Sequence, residues 1–232
     1  MYSLYTMGDP GEGALNPSAV DAVLFDLDGT LMDTDDQMVE NLALRLQRLG
    51  RPRVYRVARR LVMLAETPIN GLMTVLDTLG LDAPLLGIWR WLGSLRGAAE
   101  EPDYRLMEGA RTMLDHLRER YLLAIVTTRG REDAGAFLVQ HSLCDTFEII
   151  VTREDTWRLK PHPAPIHRAA ERLGVPVERC VMVGDTTVDV KSARRAGARA
   201  VAVTCGFGER RELERVRADV VLERVSDLAS LL

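Results

Sequence analysis

After residue 108 the sequence alternates short apolar runs of strand length with amphipathic stretches of helical length. Strands that alternate with helices run parallel, because each helix returns the chain to the end of the sheet at which the previous strand began. The pattern therefore predicts an α/β fold with a Rossmann-like, doubly wound parallel sheet. We expect strands near residues 22–26, 122–127, 147–151, 180–184, 200–203 and 220–222. We expect helices near residues 109–120, 132–141, 163–173 and 188–196, with a short one near Asp227.

A long segment after the first strand breaks this alternation. Its apolar side chains follow helical spacing, as at Leu72, Leu76 and Leu79. We therefore expect an all-helical domain inserted between the first strand and the rest of the sheet. The predicted division is a flexible N-terminal tail at 1–18, a core formed by 19–34 and 106–232, and the helical insertion at 35–105.

The composition argues against several classes of partner. Of the 232 residues, 47% are hydrophobic and 28% are charged, and the formal net charge of -4 disfavours a nucleic-acid surface built on positive charge. No apolar run approaches the ~18 residues of a membrane span, and residues 1–18 lack the pattern of a signal peptide. Cys144, Cys180 and Cys205 form no CxxC, so we interpret all three as small buried side chains in a reducing compartment. We expect a cytoplasmic protein without nucleic-acid or membrane partners.

Two aspartates follow the first predicted strand. Asp26 and Asp28 are separated by Leu27. Because residues i and i+2 of a strand face the same side, both carboxylates can meet one ligand while Leu27 points back into the protein. Gly29 and Thr30 then provide a sharp exit from the strand.

A second acidic pair follows the strand predicted at 180–184. Asp185 comes directly after this strand, and Asp189 lies four residues later on the first turn of the next helix. The two acids share a helix face and can point toward one centre. Capping of the helix N-terminus would favour acids here in any protein. That explanation covers one such pair, but not two pairs at the ends of two strands.

Two further polar signals lie close to predicted strands. Thr127 ends a strand and is followed by Thr128 and Arg129; such a turn can hold a phosphate, although Ser and Thr also cap helices in general. Lys160 lies in a proline-rich segment before a helix, in a chain whose only other lysine is Lys191. A compact ammonium serves as a point charge for a phosphoryl oxygen or a carboxylate, whereas arginine prefers a planar fork. We therefore interpret Lys160 as functional.

These polar residues should converge, because the carboxyl ends of strands in open α/β sheets meet at a crevice where ligands bind. Several carboxylates so close together cannot stay ionised without a counterion. A divalent cation is implied, and hard oxygen ligands favour Mg²⁺ over zinc. The side chains expected at the crevice are Asp26, Asp28, Thr127, Lys160, Asp185 and Asp189.

At these residues the chain resembles the haloacid dehalogenase superfamily. Its four motifs appear in order: DLDGT at Asp26, a strand ending in Thr127, Lys160 before proline, and GDTTVD at Asp185. The resemblance spans about residues 20–225. Within the superfamily the chain looks like the phosphoglycolate phosphatase-like group, in which a helical cap of the C1 type enters just after the first motif. The resemblance thus implies that the inserted helices form this cap.

The resemblance implies a role for each matching residue. Asp26 would be the nucleophile that takes the phosphoryl group, and Asp28 would be the general acid that later acts as the base for water. Thr127 would hold the phosphoryl oxygens, and Lys160 would neutralise Asp26 and the phosphoryl group. Gly29, Thr128 and Arg129 would contact the substrate, although Thr128 stands where family members commonly have asparagine.

The resemblance also implies the ligands of Mg²⁺. Asp185 would join Asp26 and the backbone carbonyl of Asp28 around the ion. Asp189 would either bind the ion through water or pair with Lys160. The sequence leaves these two alternatives open.

The activity implied is that of an Mg²⁺-dependent phosphatase that acts on a small phosphorylated metabolite through an aspartyl phosphate. A phosphomutase of the β-phosphoglucomutase type keeps the same residues, and pyrophosphatase or nucleotidase activity also fits. Dehalogenation has no use for Asp28, and phosphonate cleavage of the family type needs a cap lysine, which residues 35–108 lack. A phospho-receiver module has no acid two residues after its acceptor. The substrates left open are 2-phosphoglycolate, pyrophosphate, a nucleotide and a sugar phosphate.

Overall fold

The computed structural model describes residues 15–33 and 104–232. Nearly all of the predicted helical cap and residues 1–14 of the predicted tail lie outside the described residues, so both stay predictions. Within the last part of that predicted tail, Leu15 is buried in the core, and Pro17–Ala19 form a short 3-10 helix.

The described residues contain a parallel sheet of six strands and a two-stranded antiparallel ribbon. The strands are β1 (Ala22–Phe25), β2 (Met32–Asp33), β3 (Arg105–Leu106), β4 (Leu122–Val126), β5 (Ile149–Val151), β6 (Cys180–Gly184), β7 (Arg199–Val203) and β8 (Val220–Leu222). The strand order in the sheet is β5-β4-β1-β6-β7-β8, and every neighbouring pair is parallel. β2 and β3 form the ribbon.

Helices cover both faces of this sheet. They are α1 (Ala110–Leu117), α2 (Arg131–Gln140), α3 (Ala164–Leu173), α4 (Thr187–Ala196) and α5 (Arg210–Arg215). Two more 3-10 helices lie at Val177–Arg179 and Val225–Ser230. Alternate residues of β1 enter opposite cores, as a strand of period two requires. Val23 and Phe25 pack in the core that holds α1 and α2, whereas Leu24 packs in the core that holds α3 and α4.

The strand order reverses beside β1, which determines where a ligand can bind. From β1 the chain proceeds outward through β4 and β5, and it then returns to β6 on the other side of β1. The connections that leave the carboxyl ends of β1 and β6 therefore run in opposite directions, and a crevice remains between them at the ends of these two strands. Asp26 and Asp185 are the first residues after them.

The predicted α/β class and its parallel sheet are confirmed, and each of the six sheet strands lies within two residues of its predicted bounds. The sequence prediction missed α5 and the β2–β3 ribbon. α5 has six residues, with Leu213 as its buried side chain, so it offers no apolar period. Each ribbon strand has two residues, which is too short for an alternating pattern.

The cysteines only partly match their predicted burial. Cys180 is buried and Cys205 is half-buried, but Cys144 is exposed, so the prediction was wrong for Cys144. Cys144 lies in the turn after α2, where it follows the buried Leu143 and faces outward.

Among the helices of residues 15–33 and 104–232, none combines the length and the apolar character that crossing a bilayer requires.

We predict that Phe25→Ala destabilises the protein by about 3–5 kcal/mol, because it leaves a cavity in the core beneath the central strand. Phe25 is fully buried, and its ring packs edge to face on Phe147 with 6.3 Å between centroids. The measurement is the free energy of unfolding in urea. Val139→Ala, at a side chain that is 68% exposed, is the control and should change stability by less than about 0.5 kcal/mol. Equal stability of the two variants would contradict this description of the core.

Candidate active site

The candidate site lies at the carboxyl ends of β1 and β6. Asp26 and Asp185 follow these strands, Asp189 lies on the first turn of α4, and Lys160 enters from the loop between β5 and α3. All four side chains are buried. Thr127, also buried, follows β4 beside them. The structure thus brings together three carboxylates and one ammonium from segments that are far apart in sequence.

Lys160 is the centre of this arrangement. Its ammonium lies 2.9 Å from Asp26 Oδ1 and 2.6 Å from Asp189 Oδ1, and it donates a third bond to the carbonyl of Val126 at 2.9 Å. An ammonium has three donors, so these contacts use its full capacity. The side chain is 3% exposed. A bulkier guanidinium could not make the same three convergent contacts, which explains why lysine stands here in an arginine-rich chain.

Asp189 has two structural tasks. One carboxylate oxygen accepts from Lys160, and the other accepts from the backbone amide of Thr186 at 3.1 Å and from its hydroxyl at 2.5 Å. The two hydrogen bonds from Thr186 cap the N-terminus of α4. Of the two alternatives that the sequence left open, the observed contacts correspond to pairing with Lys160. Helix capping, the competing explanation for this acid, is also present.

Burial controls the charges in this cluster. It raises the pKa of the Asp26 carboxyl well above its usual range; Lys160 opposes the rise, whereas the Asp189 and Asp28 carboxylates add to it. Burial alone would lower the pKa of Lys160, but Asp189 and Asp26 outweigh it and raise that pKa above its ordinary value. Lys160 therefore stays charged, and the site needs further positive charge before Asp26 and its neighbours can all ionise.

Three of the acids could hold a metal ion. One ligand atom from each of Asp26, Asp185 and Asp189 lies within 4.8 Å of the others, and all three are buried. Three buried carboxylates against one ammonium leave an excess of negative charge, which a divalent cation would offset. Carboxylate oxygens are the donors that Mg²⁺ prefers, so the residues present fit that ion.

Asp185 is held in place by a loop that was not predicted from the sequence. The backbone amide of Phe207, after β7, donates to Asp185 Oδ2 at 2.7 Å, and the hydroxyl of Thr30 lies 3.5 Å from Oδ1. A Cβ atom at Gly206 would overlap Asp185 Oδ2, and one at Gly208 would overlap the Asp185 carbonyl oxygen. Two glycines separated by one residue after a strand were the available sequence signal for a backbone that approaches so closely.

Gly29 lies on the opposite side of the same carboxylate. It adopts φ +69°, in the left-handed region, and a side chain there would also overlap Asp185 Oδ2. Asp185 is therefore enclosed by backbone from two loops. In the structure Gly29 serves the tight turn after β1, while its predicted contact with substrate stays a prediction.

Asp28 and Arg129 form a separate pair at the edge of the buried cluster. Arg129 Nε lies 3.0 Å from Asp28 Oδ1 and 2.8 Å from Oδ2, and Nη2 lies 2.6 Å from Oδ1. The Asp28 carboxylate thus faces Arg129, and it is not one of the three acids that could share a metal. Thr127 Oγ1 accepts from the backbone amide of Arg129 at 3.1 Å, whereas Thr128 is exposed.

Comparisons with known proteins agree with this arrangement. The sequence profile described as haloacid dehalogenase-like hydrolase matches residues 23–203. The chain is 31% identical over 218 residues to the pyrophosphatase PpaX of Bacillus mycoides, covering 92% of this chain and 97% of that protein. A haloacid dehalogenase-like hydrolase structure from Bacteroides fragilis superposes with a TM-score of 0.69 and 25% identity, over 90% of this chain and 99% of that one. A predicted phosphoglycolate phosphatase from Haemophilus somnus superposes at 0.64 with 20% identity, over 92% and 98%, and supports the fold alone.

The matching family profile and the pyrophosphatase relatives identify the chain as a phosphatase-type hydrolase, and the buried aspartates at the switch point of the sheet agree with that class. Because the family profile covers more than three-quarters of the sequence, the chain belongs to the haloacid dehalogenase-like hydrolases.

We predict that Gly206→Ala weakens the binding of Mg²⁺ at least about tenfold, since the new methyl group overlaps both the Asp185 carboxylate and the carbonyl oxygen of Gly29 and must shift the acid or the loop. The measurement is the dissociation constant of Mg²⁺ by isothermal titration calorimetry. Gly135→Ala is the matched control, because nothing lies within 4 Å of a Cβ atom at that position in α2. Unchanged affinity in Gly206→Ala would show that Asp185 does not need this loop to bind the ion.

Proposed function

We propose that this protein is an Mg²⁺-dependent phosphatase that hydrolyses a small phosphorylated metabolite through an aspartyl phosphate on Asp26. The observation that carries the proposal is the buried contact of 2.9 Å between Asp26 Oδ1 and the ammonium of Lys160. It holds a carboxylate at the end of β1 beside a fixed positive charge. A phosphoryl group that arrives at Asp26 would meet that charge at once.

In the first step a carboxylate oxygen of Asp26 attacks phosphorus. The new bond joins Oδ to phosphorus, the bond from phosphorus to the leaving oxygen breaks, and its electron pair stays on that oxygen. Asp28 donates a proton to the leaving oxygen, an assistance typically worth about 10²–10⁴-fold. Lys160 stabilises the negative charge that spreads over the phosphoryl oxygens, and the hydroxyl of Thr127 helps to hold them.

In the second step water attacks the phosphorus of the aspartyl phosphate. Asp28, now without its proton, accepts one from the water, and the bond between phosphorus and Asp26 breaks. Inorganic phosphate leaves and the Asp26 carboxylate is restored. Dividing the displacement in two allows a single acid–base residue to serve both halves of the reaction.

The acidic cluster supports Mg²⁺ as the cofactor. Asp26 and Asp185 would supply carboxylate oxygens, and the backbone carbonyl of Asp28 would complete the protein's contribution. Asp189 already has both oxygens engaged by Lys160 and Thr186, so its role is to hold Lys160. When bound, the ion supplies positive charge to the transferring phosphoryl group and lets the neighbouring carboxylates ionise together.

We infer a small substrate from the helical insertion that the sequence predicts after the first motif. If residues 35–105 fold as a helical cap over the crevice, they would exclude water and limit the substrate to a compact metabolite. Inorganic pyrophosphate is one candidate, because PpaX relatives that match over nearly their full length are named as pyrophosphatases. 2-Phosphoglycolate is another, through the resemblance to that group of the family.

We predict that Asp26→Asn lowers the turnover of p-nitrophenyl phosphate at least about 10³-fold, because an amide cannot accept the phosphoryl group. The measurement is kcat in the presence of Mg²⁺, with circular dichroism to show that the variant is folded. The wild-type protein should also lose activity in EDTA and recover it when Mg²⁺ is restored. Near-normal turnover by Asp26→Asn would remove the nucleophile from this proposal.

A further inference from the structure

Asp28 and Arg129 form a pair at the edge of the site, and what we infer from this pair rests on the proposed function. Both carboxylate oxygens of Asp28 face the guanidinium of Arg129, at distances between 2.6 and 3.0 Å. A fork of this kind is the strongest arrangement that an arginine and a carboxylate can form. The two residues are 101 positions apart, so the fold itself creates the pair.

Arg129 is held in this position from its other side. Its guanidinium lies over the ring of Tyr104, 5.7 Å from the centroid, and Tyr104 is buried. The Asp133 carboxylate on α2 adds a further negative charge beside both residues. Within residues 15–33 and 104–232, Nη1 of Arg129 has no hydrogen-bond partner, so one edge of the guanidinium keeps a donor for an anion.

The pair lies at the mouth of the site rather than at its base. The side chains of Arg129 and Asp28 are 26% and 31% exposed, whereas those of Lys160 and Asp26 are 3% and 11% exposed. A leaving group that extends from Asp26 toward solvent would pass this more open edge. Arg129 and Asp28 are the charged residues that such a leaving group would meet.

In this arrangement Asp28 cannot serve the leaving oxygen, because Arg129 engages both of its carboxylate oxygens. Asp28 must turn at least one oxygen away before it can approach the substrate. A partly buried guanidinium that loses its carboxylate partner is left with unsatisfied donors, which is costly unless another anion replaces that partner. An anionic group on the substrate can supply that replacement.

We propose that Arg129 selects substrates whose leaving group carries an anionic group of its own, which takes the place of Asp28 on the guanidinium. A carboxylate and a phosphoryl group share the required chemistry, since both present two oxygens to a planar fork. A substrate with an uncharged leaving group, such as a sugar or nucleoside hydroxyl, leaves Asp28 held by Arg129. Of the substrates consistent with the sequence, this favours 2-phosphoglycolate and pyrophosphate over nucleoside monophosphates and sugar monophosphates.

The test uses the full-length protein in the presence of Mg²⁺ and compares two substrates that differ from each other in one group. 2-Phosphoglycolate carries a carboxylate where 2-hydroxyethyl phosphate carries an alcohol, and the rest of the leaving group is matched. We expect kcat/KM to favour 2-phosphoglycolate by roughly 10- to 100-fold, the range for a hydrogen bond to a charged group. Pyrophosphate forms the second arm, compared with p-nitrophenyl phosphate, and shows whether a phosphoryl group serves as well as a carboxylate.

Arg129→Met should bring the ratio of 2-phosphoglycolate to 2-hydroxyethyl phosphate close to one, or lower the ratio of pyrophosphate to p-nitrophenyl phosphate by roughly 10- to 100-fold. Arg129→Lys should retain part of the preference, because the charge remains without the fork. Each ratio is taken within one variant, so a general loss of activity or of folded protein cancels. Arg131→Met is the matched control: Arg131 is 57% exposed and pairs with Asp155 away from the cluster. It should keep the wild-type ratios.

The outcomes separate this inference from the proposed function. A preference that depends on Arg129 in either arm supports the inference, and the arm that responds identifies the anion as carboxylate or phosphoryl. Hydrolysis of p-nitrophenyl phosphate with no preference for either anionic substrate, or with a preference that survives in Arg129→Met, overturns the inference and leaves the phosphatase intact. If none of the four substrates is hydrolysed in the presence of Mg²⁺, both the inference and the proposed function are overturned.

Discussion

The structure of this site depends on one buried ammonium. Lys160 contacts the carboxylates of Asp26 and Asp189 and the carbonyl of Val126, and so connects the ends of β1 and β4 with the start of α4. A buried charge is stable only when it is paired and fully hydrogen-bonded. These three segments and the loop that carries Lys160 must therefore meet at this atom, which lies beside the reversal of strand order.

The same requirement explains the electrostatic character of the site. Lys160 neutralises one of the three buried carboxylates, and the remaining negative charge prepares the cluster for a cation. The glycines at 29 and 206 keep backbone close to Asp185, so that acid cannot turn away from its neighbours to reduce the repulsion. In the proposed mechanism, an ion and a phosphoryl group then use the charge that the fold has gathered.

Much of the fold and part of the site could be predicted from the sequence. Strands such as Ala22–Phe25 are apolar throughout because both faces are buried, so their run of side chains identifies them. Lys160 was recognisable because lysine is rare in this chain, and the two acidic pairs were recognisable because each follows an apolar run. These signals are local, and they need no knowledge of which side chains meet.

The contacts between distant residues could not be predicted in this way. Nothing near Arg129 in the sequence indicates that its partner is Asp28, since the pairing depends on how β1 and β4 align in the sheet. The approach of Phe207 and its flanking glycines to Asp185 likewise arises from the neighbouring positions of β6 and β7. Both are consequences of packing, and they concern the orientation of acids whose presence the sequence had already indicated.

The proposed mechanism requires that Asp26, and no other acid of the cluster, receives phosphorus. A crystal structure of the protein with Mg²⁺ and beryllofluoride, which mimics a phosphoryl group on a carboxylate, tests it most directly. We expect beryllium bonded to a carboxylate oxygen of Asp26, with a fluorine atom facing the Lys160 ammonium. Beryllium bonded to Asp28, Asp185 or Asp189 would contradict it.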